Sequence, residues 1–180
     1  MSKNSLRIKI LKKRKKNYNK SFKINFQKLI DFLRKKKLNK LKIGGYYPIN
    51  YEIDAIEILK NFKKKGHKIS LPVIKKNHQI RFFEWTSDDP LFLNKYGIPE
   101  PRLNKEIYPN LILVPMVAFD RNKFRLGYGG GYYDRYLQKN KNKKNFISVG
   151  FAFSFQEVKK LPTNKYDKKL DFILTEKEIF

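Results

Sequence analysis

LILVPMVAFDRNKFRLGYGGGYYDRYL, residues 111 to 137, begins as a strand, passes through a loop and ends as a helix. Its first four residues are a continuous apolar run before Pro115, the pattern of a strand buried on both faces. At its other end Tyr132, Tyr133 and Asp134 form the first turn of a helix. Between them Gly129, Gly130 and Gly131 stand in a row. A turn that only redirects the chain seldom uses three glycines, because each loses more backbone entropy on folding than any other residue would. That composition implies close approach of something from outside the chain. Ligands of α/β sheets gather at the C-terminal ends of strands, and bare N–H groups before a helix suit phosphate. The loop matches neither standard phosphate fingerprint: no G-K-[ST] follows, and the third glycine of a dinucleotide turn is missing. The residues alone leave phosphate binding and a structural turn both open. Asp134 is equally open, as a Mg²⁺ ligand beside phosphates or as an acid complementing the helix dipole.

Working outward, strands and helices alternate. Leu6, Ile10 and Leu11 recur at helical spacing in a basic first helix, and Phe22, Phe26, Leu29, Ile30 and Leu33 mark a second. IGGYYPI, 43 to 49, reads as a strand and loop. A helix carrying Ile53, Ile56 and Leu59 follows and ends at Gly66. KISLPVI (68 to 74) and IRFFEW (80 to 85) read as strands, as do FISVGFAF (146 to 153) and FILT (172 to 175). Ser87 to Pro109, rich in Pro, Asp and Asn, reads as an ordered loop, and KNKNKKN, 139 to 145, as a solvated one. The alternation predicts an α/β fold with a mostly parallel sheet. A chain of 180 residues, 41% hydrophobic, suits a single domain spanning 1–180.

The net charge of +26 points toward polyanions. Only eight of the 42 basic residues are Arg, and lysine abounds along the whole chain with Asn and Ile, a compositional drift rather than a designed patch. Residues 1 to 42 nevertheless hold 17 of the basic residues against one acid, Asp31, so a basic N-terminal face is expected. With no cysteine there is no disulfide framework, thiolate zinc site or cysteine nucleophile. No apolar run reaches the roughly 18 residues of a membrane span, and no signal-peptide h-region opens the chain, so a cytoplasmic protein without a membrane partner is expected. Composition alone favours a nucleic-acid-binding module, lysines on phosphates and tyrosines on bases. Such a module would leave the glycines and Asp134 without work.

PMVAFDRNKFRLGYGGGYYDRYL, 115 to 137, closely resembles the signature of the 5-formyltetrahydrofolate cyclo-ligase family. SLRIKILKKR near the start, YYPINYEID (46 to 54), KISLPVI, YGIPEPRL (96 to 103) and LPTNKYDKKLDFILTE (161 to 176) fall in the family's order, covering nearly the whole chain. The resemblance implies a three-layer αβα sandwich. It also implies an ATP- and Mg²⁺-dependent closure of 5-formyltetrahydrofolate to 5,10-methenyltetrahydrofolate, with ADP and phosphate released. The formyl oxygen is phosphorylated and N10 closes the ring, so no protein nucleophile is required, in keeping with the missing cysteine and G-x-S-x-G elbow. His67 and His78 then read as solvated loop histidines. Implied partners are the folate, with or without a polyglutamate tail, and no specific nucleic acid, for a monomer.

Carried over residue by residue, the resemblance gives ATP to Lys3, Arg7, Arg125, Gly127, Tyr128, Gly129, Gly130, Gly131, Tyr132 and Tyr133. It gives the folate to Arg7, Tyr47, Glu52, Trp85 and Tyr132, catalysis to Arg125, Tyr132 and Asp134, and Mg²⁺ to Asp134 and Asp167. Without it, Lys3 and Arg7 are surface charges, Tyr47 and Trp85 core, Glu52 a helix-start acid and Asp167 half of a surface ion pair. The chain departs from the family at Tyr166, where many members have histidine, at Met116, where glycine is common, and at Phe124, in place of a small residue. As a metal ligand outside any core network, Asp134 should tolerate replacement by Asn with little loss of stability.

Overall fold

In the computed structural model, which describes residues 1–19, 23–35 and 41–180, the run 111–114 feeds two different cores. Leu111 and Leu113 pack on one face of a sheet, Ile112 and Val114 on the other, and all four are fully buried. Period-two alternation sends successive side chains to opposite faces, so an unbroken apolar run is what a doubly covered strand requires.

The elements in chain order are α1 (Lys3–Asn17), α2 (Phe26–Lys35), β1 (Lys42–Gly44), α3 (Ala55–Lys64), β2 (Lys68–Lys75), β3 (Gln79–Glu84), β4 (Leu91–Leu93), β5 (Pro99–Pro101), β6 (Glu106–Ile107), β7 (Leu111–Pro115), β8 (Ala118–Phe119), β9 (Arg125–Leu126), α4 (Tyr132–Asn140), β10 (Ile147–Phe151) and β11 (Phe172–Leu174). Seven strands form the central sheet in the order β11-β10-β7-β1-β2-β3-β6. The first five run parallel, and β3 and β6 extend the sheet antiparallel. Leu29 and Leu33 of α2 and Ile58, Leu59 and Phe62 of α3 cover one face, and Leu137 of α4 the other, which makes three αβα layers. Outside them, Leu6 and Ile10 of α1 pack with Val117, Ala118 and Leu126 against the β8–β9 hairpin.

Caps define the helices. Asp54 accepts hydrogen bonds from the N–H groups of Ile56 (2.8 Å) and Glu57 (3.3 Å), and Gly66, at φ +81°, follows the end of α3. Ile53 therefore lies just before that helix rather than in it. The segment 87 to 109 is not a plain loop, because β4, β5 and β6 lie within it. The β8–β9 hairpin also stands between the buried strand and the glycines, so Arg125 and Leu126 are strand residues. Phe22, expected in the second helix, lies outside the described residues.

Candidate active site

Strand order places the site. From β1 the chain crosses through α3 to β2 on one side, and from β7 through α4 to β10 on the other, so the connections diverge between β1 and β7. Ligands of open α/β sheets bind outside the carboxyl ends of strands at such a point. Here that crevice is a cleft of about 1340 Å³, more than one small molecule fills.

The glycine loop forms one wall. Gly131 is the N-cap of α4 at φ +66° and, being glycine, caps no N–H group with a side chain. Gly129 stands at φ +107°, a conformation L side chains rarely adopt. The first N–H groups of α4 are left for whatever enters the cleft. Arg7 crosses from α1 to steady the loop, donating from Nε to the Gly127 carbonyl at 2.7 Å and lying against Gly129.

Cations and carboxylates meet beside the loop in two pairs. Arg125, whose side chain is 3% exposed, donates to Asp134 at 3.0 Å and to the Lys168 carbonyl at 2.9 Å. Burial lowers its pKa, and Asp134 opposes that shift. The Lys168 N–H also donates to Asp134. Lys3 donates to both Asp167 oxygens, at 2.8 and 2.5 Å, and the Asn164 N–H donates to the same carboxylate. Among the described residues no cluster of three or more His, Cys, Asp or Glu could hold a metal by itself. Asp134 and Asp167, which both act on the Arg125 charge, supply two carboxylates. Mg²⁺ takes that number when phosphate oxygens and water complete its shell, so the donor set fits it.

Glu52 lies elsewhere in the cleft lining, 6% exposed. Its Oε2 accepts from the Ile49 N–H at 2.9 Å and its Oε1 from the Tyr128 hydroxyl at 3.1 Å. Burial pushes its pKa up to about 7, against the Ile49 N–H, Arg14 and Tyr128, which favour the carboxylate. Tyr128 is pushed up to about 12 by burial first and by Glu52 second. Tyr47 is half-buried in the lining, whereas its neighbour Tyr46 is the core residue, 3% exposed, with its hydroxyl donating to the Ile53 carbonyl. Tyr132 reaches Tyr96, hydroxyl to hydroxyl, at 3.2 Å, and Tyr133 adjoins it in the lining.

Trp85 is not brought to the cleft. It is 3% exposed, packs in the core that α2 and α3 cover, and donates from its indole nitrogen to the Asp89 carbonyl. Three residues were missed. Tyr96 enters from the β4–β5 hairpin, inside the segment taken for a loop. His78 is the exposed loop histidine expected, yet it sits at the rim with its ring 5.4 Å from that of Tyr132. Arg14, hidden among the lysines of α1, was signalled only by its spacing, one turn beyond Leu6 and Ile10.

The raised Glu52 pKa makes stability pH-dependent. Between its ordinary value of 4.5 and about 7 the folded carboxyl binds more proton than the unfolded one. The cost of ionising it in place therefore grows as pH rises through that window, to on the order of 3 kcal/mol above it. The melting temperature of Glu52→Gln should accordingly gain on that of the parent as pH is raised from about 4.5 to 8. A difference that stays constant over this range would contradict the burial argument.

A model of the 5-formyltetrahydrofolate cyclo-ligase family matches residues 1–176. The chain is similar to the 5-formyltetrahydrofolate cyclo-ligase of Haemophilus influenzae, with 37% identity over 139 residues, 73% of this chain and 74% of that protein. Among solved structures it is similar to a 5,10-methenyltetrahydrofolate synthetase of Aquifex aeolicus, with TM-score 0.74, 31% identity, and coverage of 99% of this chain and 92% of that one. It is also similar to a 5,10-methenyltetrahydrofolate synthetase of Mycoplasma pneumoniae, with TM-score 0.71, 26% identity, and coverage of 98% and 100%.

Proposed function

The chain belongs to the 5-formyltetrahydrofolate cyclo-ligase family, and on that premise we propose that it converts 5-formyltetrahydrofolate to 5,10-methenyltetrahydrofolate, consuming ATP with Mg²⁺ and releasing ADP and phosphate. The observation that carries the nucleotide part is the pair of ion pairs, Arg125–Asp134 and Lys3–Asp167, set beside an uncapped helix N-terminus. On nucleotide binding Lys3 and Arg125 turn from carboxylates to phosphate oxygens, and Asp134 and Asp167 become free to hold Mg²⁺. Bound there, Mg²⁺ neutralises charge that develops as the phosphoryl group transfers. Arg7 and the backbone from Gly127 to Tyr133 cradle the rest of the phosphate chain. Arg125, Tyr132 and Asp134 contact the transferring group, with Arg125 pre-set in a dry site where its charge acts strongly.

At the folate end, Tyr47 offers a stacking wall and Glu52 an acceptor for the two-donor edge of the amino-pyrimidinone. A carboxylate has about four lone-pair sites, and Ile49 and Tyr128 occupy two of those of Glu52. The cleft holds folate and nucleotide together, which attack of the formyl oxygen on the γ-phosphate requires. We read the whole chain as a single domain, in keeping with a family match over residues 1–176, acting as a monomer in the cytoplasm.

Thermal shift separates this from nucleic-acid binding. ATP with Mg²⁺ and 5-formyltetrahydrofolate should each raise the melting temperature. Stabilisation only by an oligonucleotide, falling steeply with salt, would contradict the reading. The loop has its own test in Gly130→Val. A Cβ at Gly130 would lie 2.5 Å from the Tyr132 ring, so the ring has to leave its place. ATP affinity by calorimetry should fall about tenfold or more in a protein that still folds. Normal affinity would show that neither the backbone nor the ring matters to the nucleotide.

A further inference from the structure

Arg14 is the largest fully buried side chain among the described residues, 1% exposed in the last turn of a helix whose lysines beyond Lys3 face water. One guanidinium nitrogen donates to the Met116 carbonyl at 2.9 Å and the other to the Tyr128 hydroxyl at 2.5 Å. Its buried Nε has no hydrogen-bond partner among the described residues. A cation withdrawn from water this far is unfavourable unless an anion compensates it. Among the described residues no carboxylate is paired with it, and the hydrogen bonds lead to one through a single link. The Tyr128 hydroxyl accepts from Arg14 and donates its own proton to Glu52 Oε1. The direction is fixed, because arginine only donates and a carboxylate only accepts. Arg14 and Glu52 therefore form a buried ion pair with a tyrosine hydroxyl between them.

We propose that Arg14 is a positioning residue for the folate: through the Tyr128 hydroxyl it favours the carboxylate form of Glu52 and holds it turned so that its remaining lone pairs meet the donor edge of the substrate. This rests on the cyclo-ligase reading for the substrate, while the relay itself does not. A protonated Glu52 would present an O–H to a donor edge, so only the ionised form serves. Burial works against that form and Arg14 works for it. The Ile49 N–H supports the same form first, and apart from it and Arg14 the groups around Glu52 do not take over the task. Tyr46, Tyr133 and Tyr128 carry no positive charge, and Tyr18, Lys23, Asp54 and Glu57 line a smaller pocket behind it in which Lys23 is already paired with Glu57.

The test uses the ligand-free protein first. With glutamate carboxyls labelled with ¹³C and the Glu52 resonance assigned by its loss in Glu52→Gln, the titration midpoint should rise by about one pH unit in Arg14→Met. Tyr128→Phe, which keeps the ring and Arg14 but removes the link, should raise it in the same direction and carries the test where Arg14→Met fails to fold. In turnover, either variant should show a KM for 5-formyltetrahydrofolate raised about fivefold at neutral pH, recovering toward the parent value near pH 9, with the KM for ATP little changed. A midpoint unmoved in both variants overturns the relay. A midpoint that moves while the folate KM keeps its parental pH profile overturns the positioning role. Folate binding absent from the parent protein at every pH refutes the cyclo-ligase reading and the substrate half of the proposal, and the NMR midpoint still decides the relay.

Discussion

Asp134→Asn is expected to lower turnover about a hundredfold or more and to demand far more Mg²⁺ for what remains. Its carboxylate would place the metal against the phosphates, where charge develops in the transition state, so its loss removes stabilisation made only there. As a helix-start acid alone, it would contribute about 0.3 to 1 kcal/mol to stability and nothing to the rate. The structure changes one part of the expectation. Asp134 is not a bystander to the fold, because it neutralises Arg125, whose side chain is 3% exposed, and accepts the Lys168 N–H. Asparagine keeps an oxygen for these donors but removes the charge. A loss of about 2 kcal/mol, or roughly 4–8 °C in melting temperature, replaces the near-neutral melting that the sequence suggests. Parental turnover at limiting Mg²⁺ would refute the metal role, and an unchanged melting temperature would refute the coupling to Arg125.

Arg125→Met should do more damage to the fold than Asp134→Asn. The guanidinium is held by Asp134 and the Lys168 carbonyl, and methionine leaves the carbonyl without that donor and Asp134 with the Lys168 N–H alone. Removing one partner of a fully buried pair costs about 3–5 kcal/mol, and since Asp134 is 27% exposed and keeps the Lys168 N–H, the loss should lie at the low end, about 3 kcal/mol. Urea unfolding should show that loss. It should also show that Arg125→Met with Asp134→Asn is less destabilised than the two single changes added, since the stranded charge has gone. Additive losses would mean that the pair is not the source of the effect. Turnover should fall at least as far as in Asp134→Asn, because in the proposed role Arg125 would meet phosphate and, before nucleotide binds, sets Asp134.

What could be read from the sequence follows from how local each signal is. The run 111–114 announces a doubly covered strand in four residues, and both cores confirm it. The end of α3 at Gly66 is equally local. The strands β4, β5 and β6 are two or three residues each, two of them lying among prolines, too short for any period to show. The hairpin of Arg125 and Leu126 was read as part of the glycine turn for the same reason. At the site, Lys3, Arg7, Arg125, Asp134 and Asp167 come together across 164 residues of chain, which no spacing rule reveals and a family resemblance does. Tyr46 and Tyr47 show the limit of composition: adjacent and identical, both reach the cleft lining, but one is buried with the core and the other half-buried, separated only by which face the chain presents. Trp85 erred in the opposite direction, since a lone aromatic at a strand end can turn into the core or toward a ligand. Arg14 was obscured by the lysines around it.

The most direct test mixes the purified protein with 5-formyltetrahydrofolate, ATP and Mg²⁺ and follows the near-ultraviolet absorbance of the methenyl product. Absorbance should grow only when all three are present, with one ADP released for each methenyl group formed, and Asp134→Asn should all but abolish the signal. No product from a folded protein supplied with all three, or product formed equally well without ATP, would contradict the cyclo-ligase reading.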